Sequence, residues 1–542
     1  MNNVKKEFLT FFQNKTYMLL LTLVAVGCYG FKIMHPAIGI DDTPYNYYFS
    51  DGLIVVVGRW VIFLLNKFLH IGEYSPFLTD FAGMLLLILA AILWSIVFKR
   101  MFTDALPSWC YLVFSCVFIS NPLICEVFTY FLHNGIAMGY TFSALALLCF
   151  MDALETPRKP LPYILSISFI WIAIGCYESF AVVFLVMSIF ILFTGRICGK
   201  KHHPILSLMK ICAILVGAVI LRSLITQVLI SVFSLQGLVD EAKQRSLTEL
   251  LGWFLNEEGR MALIMALKRA YVMYGVFAYH YLPIAVYVLS SLLVLICSVW
   301  KSIRRKDPWI FIYMIGIFIS SWILIFIEGK VTLYRSCQFL PLFCAAGILL
   351  FLYVCRSFLQ KKIRFAAYIL SFILIWNQTA DMNSWFYIDY LKYEDAKDTM
   401  NNIALEIKKN HDITKPLIFI GIYDPPMEIV EKAYVDIYSE KYYKMLRLTF
   451  PIDQHLLEKF YFRNALQVAQ TPTLSVIRWG LEAFDSNQEL IQFLHMHGHQ
   501  FNGVNDVNLI RSYSVSHADM PAWPKEGSIA ETEDYIIINF GY

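Results

Sequence analysis

Charge is what this sequence has least of. Asp, Glu, Lys and Arg make up 16% of the 542 residues, against 58% that are hydrophobic and 16% that are aromatic. A soluble globular chain carries roughly a quarter charged residues, so much of this one must lie against lipid. Cysteine is present but without pattern. All 12 lie at or before Cys355, scattered through apolar segments with no CxxC spacing. This argues against a disulfide framework and a zinc site, and fits Cys used as a small apolar residue. GxSxG, P-loop, HExxH and Rossmann fingerprints are absent, as are internal repeats of the kind transporters often carry. Nor is there a basic domain or a basic-aromatic groove, so nothing points to a nucleic-acid partner.

What is there is a succession of apolar runs with Lys and Arg between them. Lengths and flanking charges predict helices near 17–34, 80–98, 107–120, 135–151, 162–176, 179–195, 206–231, 281–300, 309–327, 338–355 and 365–378. Lys5, Lys6 and Lys15 precede the first. Lys99-Arg100, Arg158-Lys159, Arg196 with Lys200-Lys201, Lys301 with Arg304-Arg305-Lys306, and Arg356 with Lys361-Lys362 fall on alternate loops. By the positive-inside rule this gives a polytopic α-helical membrane protein of about 11 transmembrane helices, N-terminus cytoplasmic and C-terminus outside. The end of the first run, AVGC at Cys28, is lipobox-like, but its basic region is long and Ala25 stands where Leu is usual. An uncleaved signal-anchor helix is the better reading.

From about Thr379 the composition becomes that of a soluble domain, and more than half of the acidic residues lie beyond that point. The chain divides into a membrane domain, 1–378, with a first outer loop at about 35–79, and an extracytoplasmic domain, 379–542. Asp389–Asn410 and Ser486–His497 read as helices. Pro416–Ile422, Tyr535–Asn539 and Val507–Ile510 read as strands, an α/β or α+β pattern.

The candidate site residues, Arg222 apart, fall on outward loops or at outer helix ends. Asp41 and Asp42 follow the first span within GIDDTPYNYYFSDG, and Arg59 lies in the apolar run after them. A carboxylate pair beside hydrocarbon costs free energy, so its placement suggests a task; the bland alternative is a solvated loop or an N-cap. If Leu53–His70 is a helix on the membrane surface, Arg59 shares a face with Asn66, and its alternative role is snorkelling. Glu126, His133 and Asn134 lie in the loop before the fourth helix. Tyr177-Glu178 forms the tight turn after the fifth. Lys330, Tyr334 and Arg335 share the loop before the tenth. Arg222 lies inside the seventh span, where a cation needs an anion or a polar cavity. His495, His497 and His499 in HMHGH have no acid or Cys to complete a metal set, and read as a helix end stopped by Gly498.

The stretch HPAIGIDDTPYNYYFSDGLIVVVGRW (His35–Trp60) resembles the start of the GtrII family of glucosyltransferases, within the GT-C superfamily. Asn121-Pro122 followed by Glu126, and Tyr177-Glu178, look like that family's later landmarks. The likeness covers the chain to about residue 378. It implies a GT-C-like glycosyltransferase that moves a hexose, glucose first, from a polyprenyl-phosphate-linked donor to a lipid-linked or polymeric surface glycan such as O-antigen. This would take place on the outer face of the bacterial cytoplasmic membrane, where the polyprenyl tail sits among membrane lipid. Arg59, Arg222, Lys330 and Arg335 would hold the donor phosphate. Glu126, His133, Tyr177, Glu178 and Tyr334 would contact substrate. Asp41 or Asp42 would be the general base of an inverting transfer. Two adjacent carboxylates either raise one pKa or share a divalent cation, Mg or Mn. The rival is a polytopic transporter or lipid-linked sugar flippase, which predicts charges near the bilayer midplane and repeated halves.

Overall fold

The computed structural model describes residues 2–37, 52, 54–69, 76–102, 105–128, 133–200, 202–237, 263–264, 281–324, 336–358, 361–423, 476–479, 482–483 and 486–541. The chain forms two compact units, one of residues 1–34 and 51–383, the other of 35–50 and 384–542.

The first unit is helical. In chain order it contains α1 (Asn2–Phe12), α2 (Lys15–Met34), α3 (Trp60–Leu69), α4 (Pro76–Phe102), α5 (Ser108–Ile119), α6 (Leu123–Phe128) and α7 (His133–Glu155). It continues with α8 (Leu161–Cys176), α9 (Phe180–Cys198), α10 (Pro204–Val232), α11 (Tyr281–Arg305), α12 (Trp309–Ser321), α13 (Phe339–Val354) and the start of α14 (Lys361–Asn410). Among the described residues six stretches are long and apolar enough to cross a membrane: Lys15–Met34, Phe77–Phe102, Asn134–Glu155, Phe180–Cys198, Pro204–Val232 and Val286–Arg305. Four shorter apolar helices, α5, α8, α12 and α13, accompany them. The protein is therefore a helical membrane protein.

Local chemistry sets the helix ends. Pro107 and Pro160 precede α5 and α8, and Pro204 opens α10 behind the His203 cap. Gly199, at φ +96°, ends α9 in the left-handed conformation that glycine adopts without strain. Inside the bundle polar side chains pair with one another or with carbonyls, as a low-dielectric interior demands. The Tyr17 hydroxyl lies 2.6 Å from Ser115 Oγ, and the Tyr29 hydroxyl donates to the Ile119 carbonyl at 2.6 Å. The Tyr140 hydroxyl donates to the Gln338 carbonyl at 2.8 Å. All twelve cysteines are free, and most are buried, consistent with apolar filler.

At one end of this unit the basic loops interlock. Arg100 pairs with Glu7 at 2.9 Å and with Asp152 at 2.8 Å, while Lys200 donates to the Arg100 carbonyl. Arg196 pairs with Asp307, and Arg305 donates to the Arg196 carbonyl. Charges from five separate segments that the sequence assigned to the cytoplasmic side thus link to one another.

Two expectations are corrected here. The predicted helices at 365–378 and Asp389–Asn410 are one 50-residue helix, α14, and the division between the units falls within it. The polar stretch Asn377–Ser384 changes the composition but contains neither Gly nor Pro, so nothing stops the helical backbone. The Asn121–Asn134 loop contains a helix, α6, which carries Glu126, and His133 opens α7.

The second unit builds a mixed sheet of β1 (Leu417–Ile420), β6 (Ile536–Asn539) and β5 (Ile529–Glu531), in the order β1-β6-β5. β1 runs parallel to β6, and β5 antiparallel to it. β2 (Ile422–Tyr423), β3 (Val476–Trp479) and β4 (Glu482–Ala483) form a second small sheet. Leu417 and Phe419 pack with Met400, Ile403 and Ile407 of α14 and Leu490 and Leu494 of α15 (Asn487–Met496). Ile418 and Ile420 face the other way, toward Ile510 of α16 (Val507–Ser516). With both faces covered, LIFI reads as an unbroken apolar run and IIIN is apolar up to its final Asn539. The predicted strand at Val507–Ile510 is the start of α16. Asp506 caps it by accepting from the Asn508 and Leu509 amides, and of α16 only Ile510 is fully buried. The HMHGH segment is the end of α15, with His497 at the C-cap and Gly498 at φ +83°, as expected.

Asn487 stitches this core together: its amide oxygen accepts from Phe419 N at 3.0 Å, and its nitrogen donates to the Leu417 and Val504 carbonyls. Asn487→Leu removes the side-chain bonds to Phe419 N and to the Leu417 and Val504 carbonyls, of which the Leu417 carbonyl still accepts from Val504 N at 3.3 Å. We expect it to cost about 2–4 kcal/mol, seen as lost hydrogen-exchange protection across Leu417–Ile420 in the full chain.

Candidate active site

The helical turn Ile54–Val57 is stopped by Gly58, at φ +84°, with Gly58 N bonded to the Val55 carbonyl at 2.8 Å and Arg59 N to Ile54 at 2.9 Å. Leu53–His70 is therefore not the single surface helix its apolar pattern suggests; α3 starts afresh at Trp60. The interruption has a cause. Arg222, from α10, donates from Nε to the Gly58 carbonyl at 3.1 Å and from Nη2 to Val57 at 2.6 Å. A Cβ on Gly58 would overlap that guanidinium, so both the left-handed turn and the close approach require glycine.

Arg59, aimed by this turn, meets the short connection between α8 and α9. Its Nε and Nη2 donate to the two Glu178 carboxylate oxygens at 3.1 and 2.8 Å, a bidentate pair. The Arg59 guanidinium also lies 4.3 Å from the centre of the Tyr177 ring. Burial by itself would push the Glu178 carboxyl up. The charge of Arg59 and its hydrogen bonds, with Arg222 behind them, outweigh burial and hold Glu178 below the ordinary carboxylate range. The side chains are 22% and 44% exposed, so Glu178 is the more accessible partner of the pair.

The surroundings are tightly fitted and polar in an unusual way. Trp60 stacks on Trp171 of α8 at 4.8 Å, worth about 0.5–1.5 kcal/mol beyond its burial. Gly175 admits the Trp60 indole, and Gly135, beside Asn134 at the head of α7, admits Ile62 and approaches the Cys176 carbonyl. Among the described residues, four buried ones here carry polar side-chain atoms with no hydrogen-bond partner: Trp60 Nε1, Asn134 Oδ1 and Nδ2, Ser179 Oγ and Thr226 Oγ1. They follow Arg59, open α7, follow Glu178, and lie one helical turn beyond Arg222. Unpaired buried polar atoms cost about 1–3 kcal/mol each, and sites that accept a ligand are where such costs are tolerated.

Of the residues expected from the sequence, Arg59, Arg222, Tyr177 and Glu178 come together. Glu126 and His133 lie on α6 and α7, their side chains outside the described residues. Asp41, Asp42, Lys330, Tyr334 and Arg335 also lie outside the described residues. Among the described residues no three His, Cys, Asp or Glu side chains gather as a metal set. The sequence reading missed Trp171, Gly175 and Thr226. Each sits within an apolar helix where periodicity cannot separate a packing residue from a site residue, and only the GRW landmark hinted at Gly58 and Trp60.

Glu178→Gln removes the bidentate pair, and we expect a loss of about 1–2 kcal/mol, reduced from a fully buried pair by the partial exposure. The native pKa is depressed, so this stabilisation is present above the unfolded value of about 4.3 and fades as pH falls through the lower native one. Thermal unfolding of the detergent-solubilised protein should show wild type and Glu178→Gln converging on acidification. Gly58→Ala should destabilise more than Glu178→Gln in the same assay at neutral pH.

Compared with known families, residues 30–352 match the one described as Glucosyl transferase GtrII. No curated protein matches the chain, and no solved structure does.

Proposed function

The chain belongs to the GtrII glucosyl transferase family, and on that premise we propose that it moves glucose from a polyprenyl-phosphate-linked donor onto a surface glycan such as O-antigen. The observation that carries this reading is the extent of the match. Residues 30–352 include every candidate site residue, from Asp41 and Asp42 through Arg59, Glu126, His133, Tyr177, Glu178 and Arg222 to Lys330, Tyr334 and Arg335.

The chemistry fits those residue types. A polyprenyl donor needs hydrocarbon for its tail and cations at the rim for its phosphate, the role given to Arg59, Arg222, Lys330 and Arg335. The acceptor hydroxyl needs a base on the sugar face opposite the departing phosphate. Asp41 or Asp42 takes that proton, a contribution of typically ~10²–10⁴-fold, and the in-line geometry inverts the anomeric centre. The membrane domain crosses the bacterial cytoplasmic membrane about eleven times in a GT-C-like arrangement, N-terminus cytoplasmic and residues 379–542 outside. The links that Arg100, Arg196, Lys200 and Arg305 make between basic loops support that orientation, since the positive-inside rule assigns all of these loops to one side. The C-terminal unit binds the acceptor glycan.

Glycan analysis of a strain lacking the protein should show loss of one hexose branch and thereby name sugar and acceptor; an unaltered surface glycan counts against the assignment. Asp41→Asn and Asp42→Asn should abolish the modification with membrane protein levels unchanged. Full modification in both variants removes the acid pair from catalysis.

A further inference from the structure

The chain passes from the membrane unit to the C-terminal unit twice, after Asn383 within α14 and after Met34, where α2 ends. Local chemistry sets the end of α2. Pro36 has no amide hydrogen and its ring disfavours helical backbone at the residue before it, so His35 leaves the helix. Met34 is exposed, whereas Ala37, three residues on, is only 4% exposed. Ala37 belongs to the apolar core that Tyr393, Ala396 and Met400 of α14 share with Leu417 and Phe419 of β1. The His35 ring meets the Tyr390 ring edge-on, with centroids 5.1 Å apart. Tyr390, Tyr393, Ala396 and Met400 recur at three- and four-residue spacing, so one face of α14 receives this stem.

The acid pair follows at once. Asp41 is four residues beyond Ala37 and Asp42 five. A fully extended chain spans at most ~3.6 Å per residue, so Asp41 lies within about 14 Å of Ala37 and Asp42 within about 18 Å, whatever path joins them. On the reading above, on which this role rests, one of these carboxylates is the general base. We propose that the C-terminal unit carries that base, with His35 and Ala37, seated on α14 at Tyr390 and Tyr393, as the fixed point from which Asp41 and Asp42 are presented. Tyr390 is a positioning residue, acting through the stem on a carboxylate that it need not touch. Residues 384–542 thereby take part in the chemical step as well as in acceptor binding. The competing fixed point is the end of α2 in the membrane unit, and the two differ in where an added residue does harm.

The test uses the full-length protein in lipid nanodiscs, with polyprenyl-phosphate glucose as donor and surface glycan extracted from a strain lacking the protein as acceptor. One glycine inserted after Ala37 leaves the anchor in place and displaces the acid pair from it. We expect kcat to fall about 10–100-fold, the cost of misplacing a catalytic group by an ångström or so, with donor and acceptor KM unchanged. One glycine inserted between Met34 and His35 should leave kcat close to wild type, because the anchor resets the register beyond it. Tyr390→Ala should lower kcat as the later insertion does, Tyr390→Phe should recover most of it, and both should keep hydrogen-exchange protection at Leu417–Ile420. Equal losses from the two insertions overturn the proposal, since α2 then sets the acid pair. A loss confined to acceptor KM overturns it too, leaving α14 a binding surface alone. If Tyr390→Ala does not fold, the two insertions decide, as neither alters a core side chain. Full activity in both Asp41→Asn and Asp42→Asn overturns the base assignment itself, whereas inactive aspartate variants beside equal insertions overturn only the role of the stem. If wild type does not use this donor, the donor assignment falls, and the same variants are compared in cells by the hexose content of the surface glycan.

Discussion

A charge next to hydrocarbon has to be answered by the protein, because no water is there to answer it. This constraint shapes both charged clusters of the membrane unit. In one, Arg100 and Arg196 take Glu7, Asp152 and Asp307 as partners and tie loops from distant parts of the sequence. In the other, Arg59 takes Glu178, and Arg222 takes two main-chain carbonyls that only a glycine turn could present. The first cluster is a clasp. The second gathers several buried polar atoms without partners, where the clasp has Arg196 Nε among the described residues.

The two arginines differ in how they are answered, and the difference has consequences. Arg59 faces a formal negative charge, so on the proposed reading the donor phosphate has to compete with or add to Glu178. Arg222 faces dipoles, which orient its guanidinium without neutralising it, so its field persists at the site and contributes to holding Glu178 ionised. A membrane-embedded cation that is oriented yet not neutralised is a natural partner for a lipid-linked anion.

Helix positions were legible because length and hydropathy are summed over many residues. The predicted spans at 107–120, 162–176, 206–231 and 338–355 fall within a few residues of α5, α8, α10 and α13. Where the reading failed, a local rule was applied without its partner. The polar break at Asn377–Ser384 looked like a boundary but held no helix breaker. Val507–Ile510 looked like a strand, yet Asp506 caps it as a helix. The tight turn Tyr177-Glu178 and the lone cation Arg222 stood out because charge is so scarce around them. Their meeting did not, since 44 residues and one further helix separate them.

The sequence by itself determined that this is a membrane protein, where most of its helices lie and which family it belongs to, because hydrophobic length, basic flanks and landmark residues are properties of the chain read in order. Tertiary structure decided which charges face each other. Arg59 and Glu178 are paired because Gly58 breaks one helix to admit Arg222 from another, and no spacing along the chain encodes that approach. Side chains far apart in sequence interact only through distance and orientation in space, and those are fixed when the helices pack.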